Sequence, residues 1–184
     1  MSSPLGKMLY NKTLNSHTFK EACYMISEEL RKVVHIILNY HREIFQESLS
    51  PMKLQKLCFY AQGLYMATHN GALLFEEDFE AWTFGPVIRN LYHEFKHYTW
   101  KNIADEVIDI PEIEAEKLDS IKTVVETYGR YDGAALMTMT HREEPWFSAR
   151  KGLSDMEGSS ELIVKESMRQ FFEKELAAYN IETD

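Results

Sequence analysis

The 184-residue sequence predicts a mainly α fold: a single compact helical domain around a buried central helix at about residues 51–68, with at most a short two-stranded element near 77–84. Three observations carry that reading. Ser50-Pro51 is a strong helix start, because a serine hydroxyl caps free main-chain N–H groups and proline fits the first turn, where its missing N–H loses nothing. The residues that follow are apolar around most of the helix: Leu54, Leu57, Cys58, Ala61 and Leu64 obey the i, i+3, i+4, i+7 rule, and Phe59, Tyr60 and Met66 widen the stripe. Alternating apolar and polar runs, the mark of half-buried strands, are scarce elsewhere.

Upstream, Thr18 to about Gln46 reads as helical, with Phe19, Ala22, Cys23, Ile26 and Leu30 on one stripe and Val33, Ile37, Tyr40 and Ile44 on another. The stripe drifts near Arg31, so the segment is either two helices or one bent one. Residues 1–16 are expected to be a flexible N-terminal segment, and residues 17–180 the domain itself. His69-Asn70-Gly71 ends the central helix, since Asn and Gly both tolerate positive φ. Glu77 to Phe84 alternates imperfectly and suits a short strand, which Gly85-Pro86 is expected to break. Pro86 would then open a helix with Ile88, Leu91, Tyr92 and Phe95 facing the core.

Asp109 and Pro111 read as the start of a further helix with Leu118, Ile121, Val125 and Tyr128 on its inner face, closed by Gly129. Leu136 and Met139 suit a short helical turn, Gly152 to Ser160 a polar loop, and Met168, Phe171, Phe172 and Leu176 a last amphipathic helix.

Composition narrows the function classes. Hydrophobic residues make up 45% and charged residues 27%, an ordinary globular balance. A formal charge of −9 argues against a phosphate-binding surface and hence against nucleic acid as a partner. No apolar run approaches a membrane span and residues 1–16 lack a signal-peptide core, so the expected location is cytoplasmic. Cys23 and Cys58 both fall in helical apolar patterns and read as reduced core thiols.

One motif raises an enzyme hypothesis. His93-Glu94-Phe95-Lys96-His97 spells H-E-x-x-H, in which two histidines one helical turn apart hold zinc and the glutamate activates its water. The downstream Gly and His of the extended protease signature are missing from Tyr98 to Ile103; Glu112, Glu114 or Glu116 would have to supply the third ligand. A zinc-dependent hydrolase using His93, Glu94 and His97 is therefore the alternative. No phosphate-binding glycine loop and no serine or cysteine nucleophile motif occurs, which favours binding over catalysis, with no catalytic residue, metal or cofactor assigned. On the same helix Arg89, His93, Lys96 and His97 form a basic stripe. Arg89, Tyr92, His93 and Lys96, with Trp82 and Phe84 nearby, are the candidate partner-binding residues, because interface centres favour aromatic residues and Arg. Arg89→Glu is expected to abolish binding while leaving stability unchanged.

Five short blocks occur in a telling combination: Leu54-Gln55-Lys56-Leu57, then Tyr60 to Gly63, then Glu80-Ala81-Trp82-Thr83-Phe84-Gly85-Pro86-Val87, then Leu91 to Phe95, and finally Thr140-His141-Arg142-Glu143-Glu144-Pro145-Trp146. With these blocks the chain resembles the Panacea domain, the SocA-like antitoxin domain of bacterial and prophage toxin–antitoxin pairs, over roughly Val33 to Phe172. The resemblance implies an antitoxin that neutralises a cognate toxin by direct protein contact. It also implies a second mechanism, in which the domain is an adaptor that delivers the toxin to an ATP-dependent protease such as ClpXP. The toxin's identity does not follow, because the family pairs with toxins of many classes. The residues of the last block have a structural expectation of their own: Pro145 and Trp146 anchor a loop against the core, and Glu143 or Glu144 satisfies helix donors or Arg150.

Overall fold

The computed structural model describes residues 25–104, 112–154 and 156–182. Cys23, Asp109, Pro111 and the expected flexible segment 1–16 lie outside them. Among the described residues the chain forms seven α-helices and one two-stranded antiparallel sheet, so the fold is mainly α. No helix among them is long and apolar enough to cross a membrane.

Helix α1 spans Glu28–Phe45 and is capped by Ser27, whose Oγ accepts from Leu30 N at 3.1 Å. Ser27 is itself held from outside, its N and Oγ donating to the two Glu77 carboxylate oxygens at 2.6 and 2.9 Å. Of the two helices or one bent helix expected from Thr18 to about Gln46, residues 18–24 lie outside the described residues, and the break near Arg31 is corrected: the helix runs through Arg31 from Glu28. Residues 25–27 are non-helical, and the capping serine is fixed in extended geometry by a glutamate fifty residues away in the chain.

Helix α2, Pro51–Thr68, is the expected central helix, capped by Ser50 and closed by the turn at Asn70 and Gly71, with φ of 52° and 83°. Every residue from Lys53 to Gly63 is buried. It packs against α1, α4 (Ala115–Tyr128), α5 (Gly133–Thr140) and α7 (Lys165–Glu182), while α6 (Glu144–Ala149) packs on α7. Gly63 allows the α7 contact: a Cβ there would come within 2.1 Å of the Phe172 ring. Phe59 sits edge-on to Phe79 and Phe172 at 5.4 and 5.9 Å, and Tyr60 stacks on Tyr128 at 4.0 Å. Cys58 is a buried free thiol, as its place in the apolar stripe predicts.

The short two-stranded element lies near its expected position, with its second strand running on to Val87. Strands β1 (Glu80–Trp82) and β2 (Gly85–Val87) pair Glu80 with Val87, Ala81 with Pro86 and Trp82 with Gly85. Gly85-Pro86 therefore does not break the strand but starts its partner, and the next helix, α3, begins at Arg89. The physical reason is local. Gly85 adopts φ 93°, which reverses the chain after Thr83-Phe84. Pro86 loses no ladder bond, because Ala81 opposite it turns its N–H outward to Glu161 O at 2.8 Å. Residues 161–163 thereby cover the other edge of β1, with Ile163 N donating to Phe79 O at 2.8 Å.

Leu57 and Trp146 are both buried in the core formed by these elements. Leu57→Ala and Trp146→Ala are each expected to cost roughly 2–5 kcal/mol, measured by denaturant unfolding. Unchanged unfolding midpoints would mean that the core lies elsewhere.

Candidate functional site

The polar residues of α2 turn toward the hairpin and α3. Gln55 accepts from Ile88 N at 2.8 Å and donates to Ile88 O at 3.2 Å, which fixes the residue preceding α3 (Arg89–Phe95). Lys56 Nζ donates to Pro86 O at 2.9 Å and thus holds β2. Only a glycine fits at position 85 beside it, since a Cβ would approach Lys56 Cε to 2.7 Å and Thr140 Oγ1 to 2.8 Å.

Between α2, the hairpin and α3 lies an open groove of about 320 Å³. Its floor is Leu54, Gln55 and Lys56, and its walls include Trp82, Val87, Leu91, Tyr92 and Phe95. Phe84 and Tyr92 stand on its rim at 56% and 41% exposure. Lys96 and Thr99 complete the rim at the end of α3, where Thr99 takes φ 56°, an uncommon and strained conformation for a β-branched residue. The next residue, Trp100, is 82% exposed.

One wall is braced by charge. Glu80 takes both arms of Arg89, at 2.7 and 2.6 Å, and its Oε2 also accepts from Trp82 Nε1 at 2.7 Å. Arg89 in turn lies over the Trp82 ring, and Trp82 meets Tyr92 edge-on at 5.0 Å. The sequence reading of Arg89 as a stability-neutral contact residue is therefore corrected: it is a brace of the groove wall. Glu80 stands two positions before Trp82 on β1 and so shares its face, the one signal in the sequence for this role.

The His141 block packs behind the hairpin. Trp146 Nε1 donates to Trp82 O at 2.9 Å, and His141 stacks on Trp146 at 3.9 Å. Pro145 and Trp146 are buried as expected, though in helix α6 rather than in a loop. The carboxylates depart from expectation. Glu143 accepts from Tyr60 Oη at 2.7 Å, its buried Oε2 has no hydrogen-bond partner among the described residues, and burial pushes its pKa up to about 7. Glu144 accepts from Ser148 and from Ser167 instead. Arg150 is met by main-chain carbonyls of Ala81, Ser154 and Glu157.

The H-E-x-x-H segment does not assemble as a zinc motif. Helix α3 ends at Phe95, so His97 falls in a following 3₁₀ turn and no longer repeats His93 with α-helical spacing. Glu94 is engaged by Arg31 at 2.9 Å. Glu114 and Glu116 sit at the start of α4, paired with Lys117 and His69. Among the described residues no group of three His, Cys, Asp or Glu side chains is placed to hold a metal ion.

The groove thus draws its lining from the first, third and fourth sequence blocks, with the fifth bracing its back. The family model for the SocA-like antitoxin, Panacea domain, matches residues 54–147, just over half of the chain. The protein belongs to the SocA-like Panacea family. No curated protein and no solved structure matches it. In this Panacea domain Leu54 and Leu57 serve the core. Lys56, Gly85 and Pro86 fix the hairpin against α2, Gln55 fixes the start of α3, Trp82 forms a groove wall, His141, Pro145 and Trp146 pack behind it, and Glu143 pairs with Tyr60 of α2. Of the candidate partner-binding residues, Trp82, Phe84, Tyr92 and Lys96 line the groove. His93 lies beside it, its pKa lowered by partial burial and by Lys96 and Arg89. Met52 and Thr99 also line it and carry no sequence signal for that role.

Two consequences are measurable. Arg89→Glu would set two carboxylates face to face and is expected to lower stability by about 1–3 kcal/mol, read as a fall in melting temperature. The folded chain also holds the Glu143 proton more tightly than the unfolded chain. It therefore binds more protons between pH 4.5 and about 7, and stability falls as pH rises through that window. Glu143→Gln is expected to remove this fall, so its stability relative to wild type should rise from pH 5 to pH 7 in parallel denaturant titrations.

Proposed function

We propose that this protein is an antitoxin that neutralises a cognate toxin by binding it directly, and that the groove between the hairpin and α3 is the contact surface. Family membership supports the antitoxin role and a binding rather than a catalytic part in it. The observation that carries the surface is the groove itself: an apolar depression, rimmed by the exposed aromatics Phe84 and Tyr92, built by the family's own motif residues. Exposed aromatic side chains over a recess of this kind are the usual anchors of a protein interface.

The test is rescue of cells that express the toxin encoded beside this chain. Tyr92→Ala and Phe84→Ala, each trimming a rim residue that braces no main chain, should lose rescue and weaken toxin binding about tenfold or more while the melting temperature stays near wild type. Full rescue by both variants would move the contact surface elsewhere. Toxin abundance in the rescued cells separates the two mechanisms. A blocked toxin accumulates in the complex, whereas a toxin handed to an ATP-dependent protease such as ClpXP disappears and returns when the protease is removed.

A further inference from the structure

The charge of the groove runs against that of the molecule. The chain carries −9 overall, yet among the described residues the charged side chains lining the groove are two lysines, Lys56 on the floor and Lys96 on the rim. Lys56 is 1% exposed and among the described residues its amine donates to one acceptor, Pro86 O, so once protonated it has two further N–H groups to satisfy. The uncharged Thr140 hydroxyl and the Lys56 amine crowd the same side of Gly85, at 2.8 and 3.0 Å from where a Cβ would sit. Burial holds its pKa down to about 7, and among the described residues no carboxylate offsets it. An amine so placed becomes a strong recognition element once an anion enters, because a desolvated pair interacts far more strongly than an exposed one.

We propose that the groove seats an apolar segment of the partner protein that carries a carboxylate, its apolar side chains lying against Leu54, Val87, Leu91 and Phe95 and its carboxylate pairing with Lys56 and Lys96. A protein segment fits better than a free small acid because the apolar surface continues past the recess onto Phe84, Tyr92 and Trp100, all exposed. The proposal rests on the antitoxin reading for the partner's identity but not for its chemistry. Binding recharges Lys56, so the complex takes up a proton between pH 7 and 9. His93, the titratable neighbour on α3, has its pKa lowered and stays neutral across that range.

Two short synthetic peptides test this, identical in Leu, Phe and Trp anchors at helical spacing and differing only in Glu against Gln between the anchors. Titrated into the full chain by calorimetry at pH 8, in two buffers of different ionisation enthalpy, the Glu peptide should bind about tenfold tighter than the Gln peptide and take up a proton. Lys96→Met should weaken the Glu peptide alone. Lys56→Met, checked for wild-type helical content by circular dichroism, should abolish the proton uptake; if it does not fold, the buffer comparison on wild type still decides the point. Equal binding of both peptides, no binding of either, or binding without proton uptake overturns the proposal. Self-association of the chain that the Glu peptide displaces would also overturn it, by making a second copy the occupant. If the toxin binds and is neutralised but the Glu peptide does not compete with it, this inference fails while the antitoxin reading stands. If the peptide binds as expected and the chain gives no rescue, the reverse holds.

Discussion

Burying a helix on nearly all sides creates a polar problem, because the irregular segments packed against it must still find partners for their main-chain groups. In this protein α2 supplies those partners from its own side chains. Gln55 pairs with both main-chain groups of Ile88, and Lys56 takes the Pro86 carbonyl. Gln62 accepts from Leu74 N and Phe75 N and donates to Phe75 O, and Lys53 donates to Gly129 O at 2.6 Å. Leaving any of these main-chain groups unpaired would cost about 1–3 kcal/mol. The segments that carry the candidate site are therefore held by the same helix that organises the core.

The groove follows from that arrangement. Gln55 and Lys56 lie next to each other on α2 and hold, respectively, the start of α3 and the strand β2, so the hairpin and α3 are set at a fixed separation above Leu54. Glu80 and Arg89 then brace Trp82 upright, and Trp146 ties the Trp82 carbonyl from behind. A recess with rigid walls and apolar, exposed rim residues loses little side-chain freedom on binding, which is the condition for a few aromatic contacts to carry an interface.

Much of the helical frame was legible because it depends on local rules. The Ser50-Pro51 start, the Asn70-Gly71 stop and the apolar circumference between them are properties of short windows of sequence, and the structure reproduces them. Where local rules misled, a distant residue had intervened. Glu77 turned Ser27 into a helix cap, and Glu161 took the Ala81 N–H that left Pro86 free to sit in a strand. The H-E-x-x-H spelling failed for a related reason, since nothing in five letters reveals that α3 stops at Phe95.

By itself the sequence determined the fold class, the central helix and the aromatic and basic residues from which a contact surface could be made, because periodicity, capping and composition act within a few residues of chain. The tertiary structure alone decided which of those residues face the groove. It committed Arg89 to Glu80, left Phe84 and Tyr92 exposed on the rim, and buried Lys56 on the floor with no anion beside it among the described residues. Ion pairing and desolvation depend on groups far apart in sequence that come together only when α2, the hairpin and α3 close around one another.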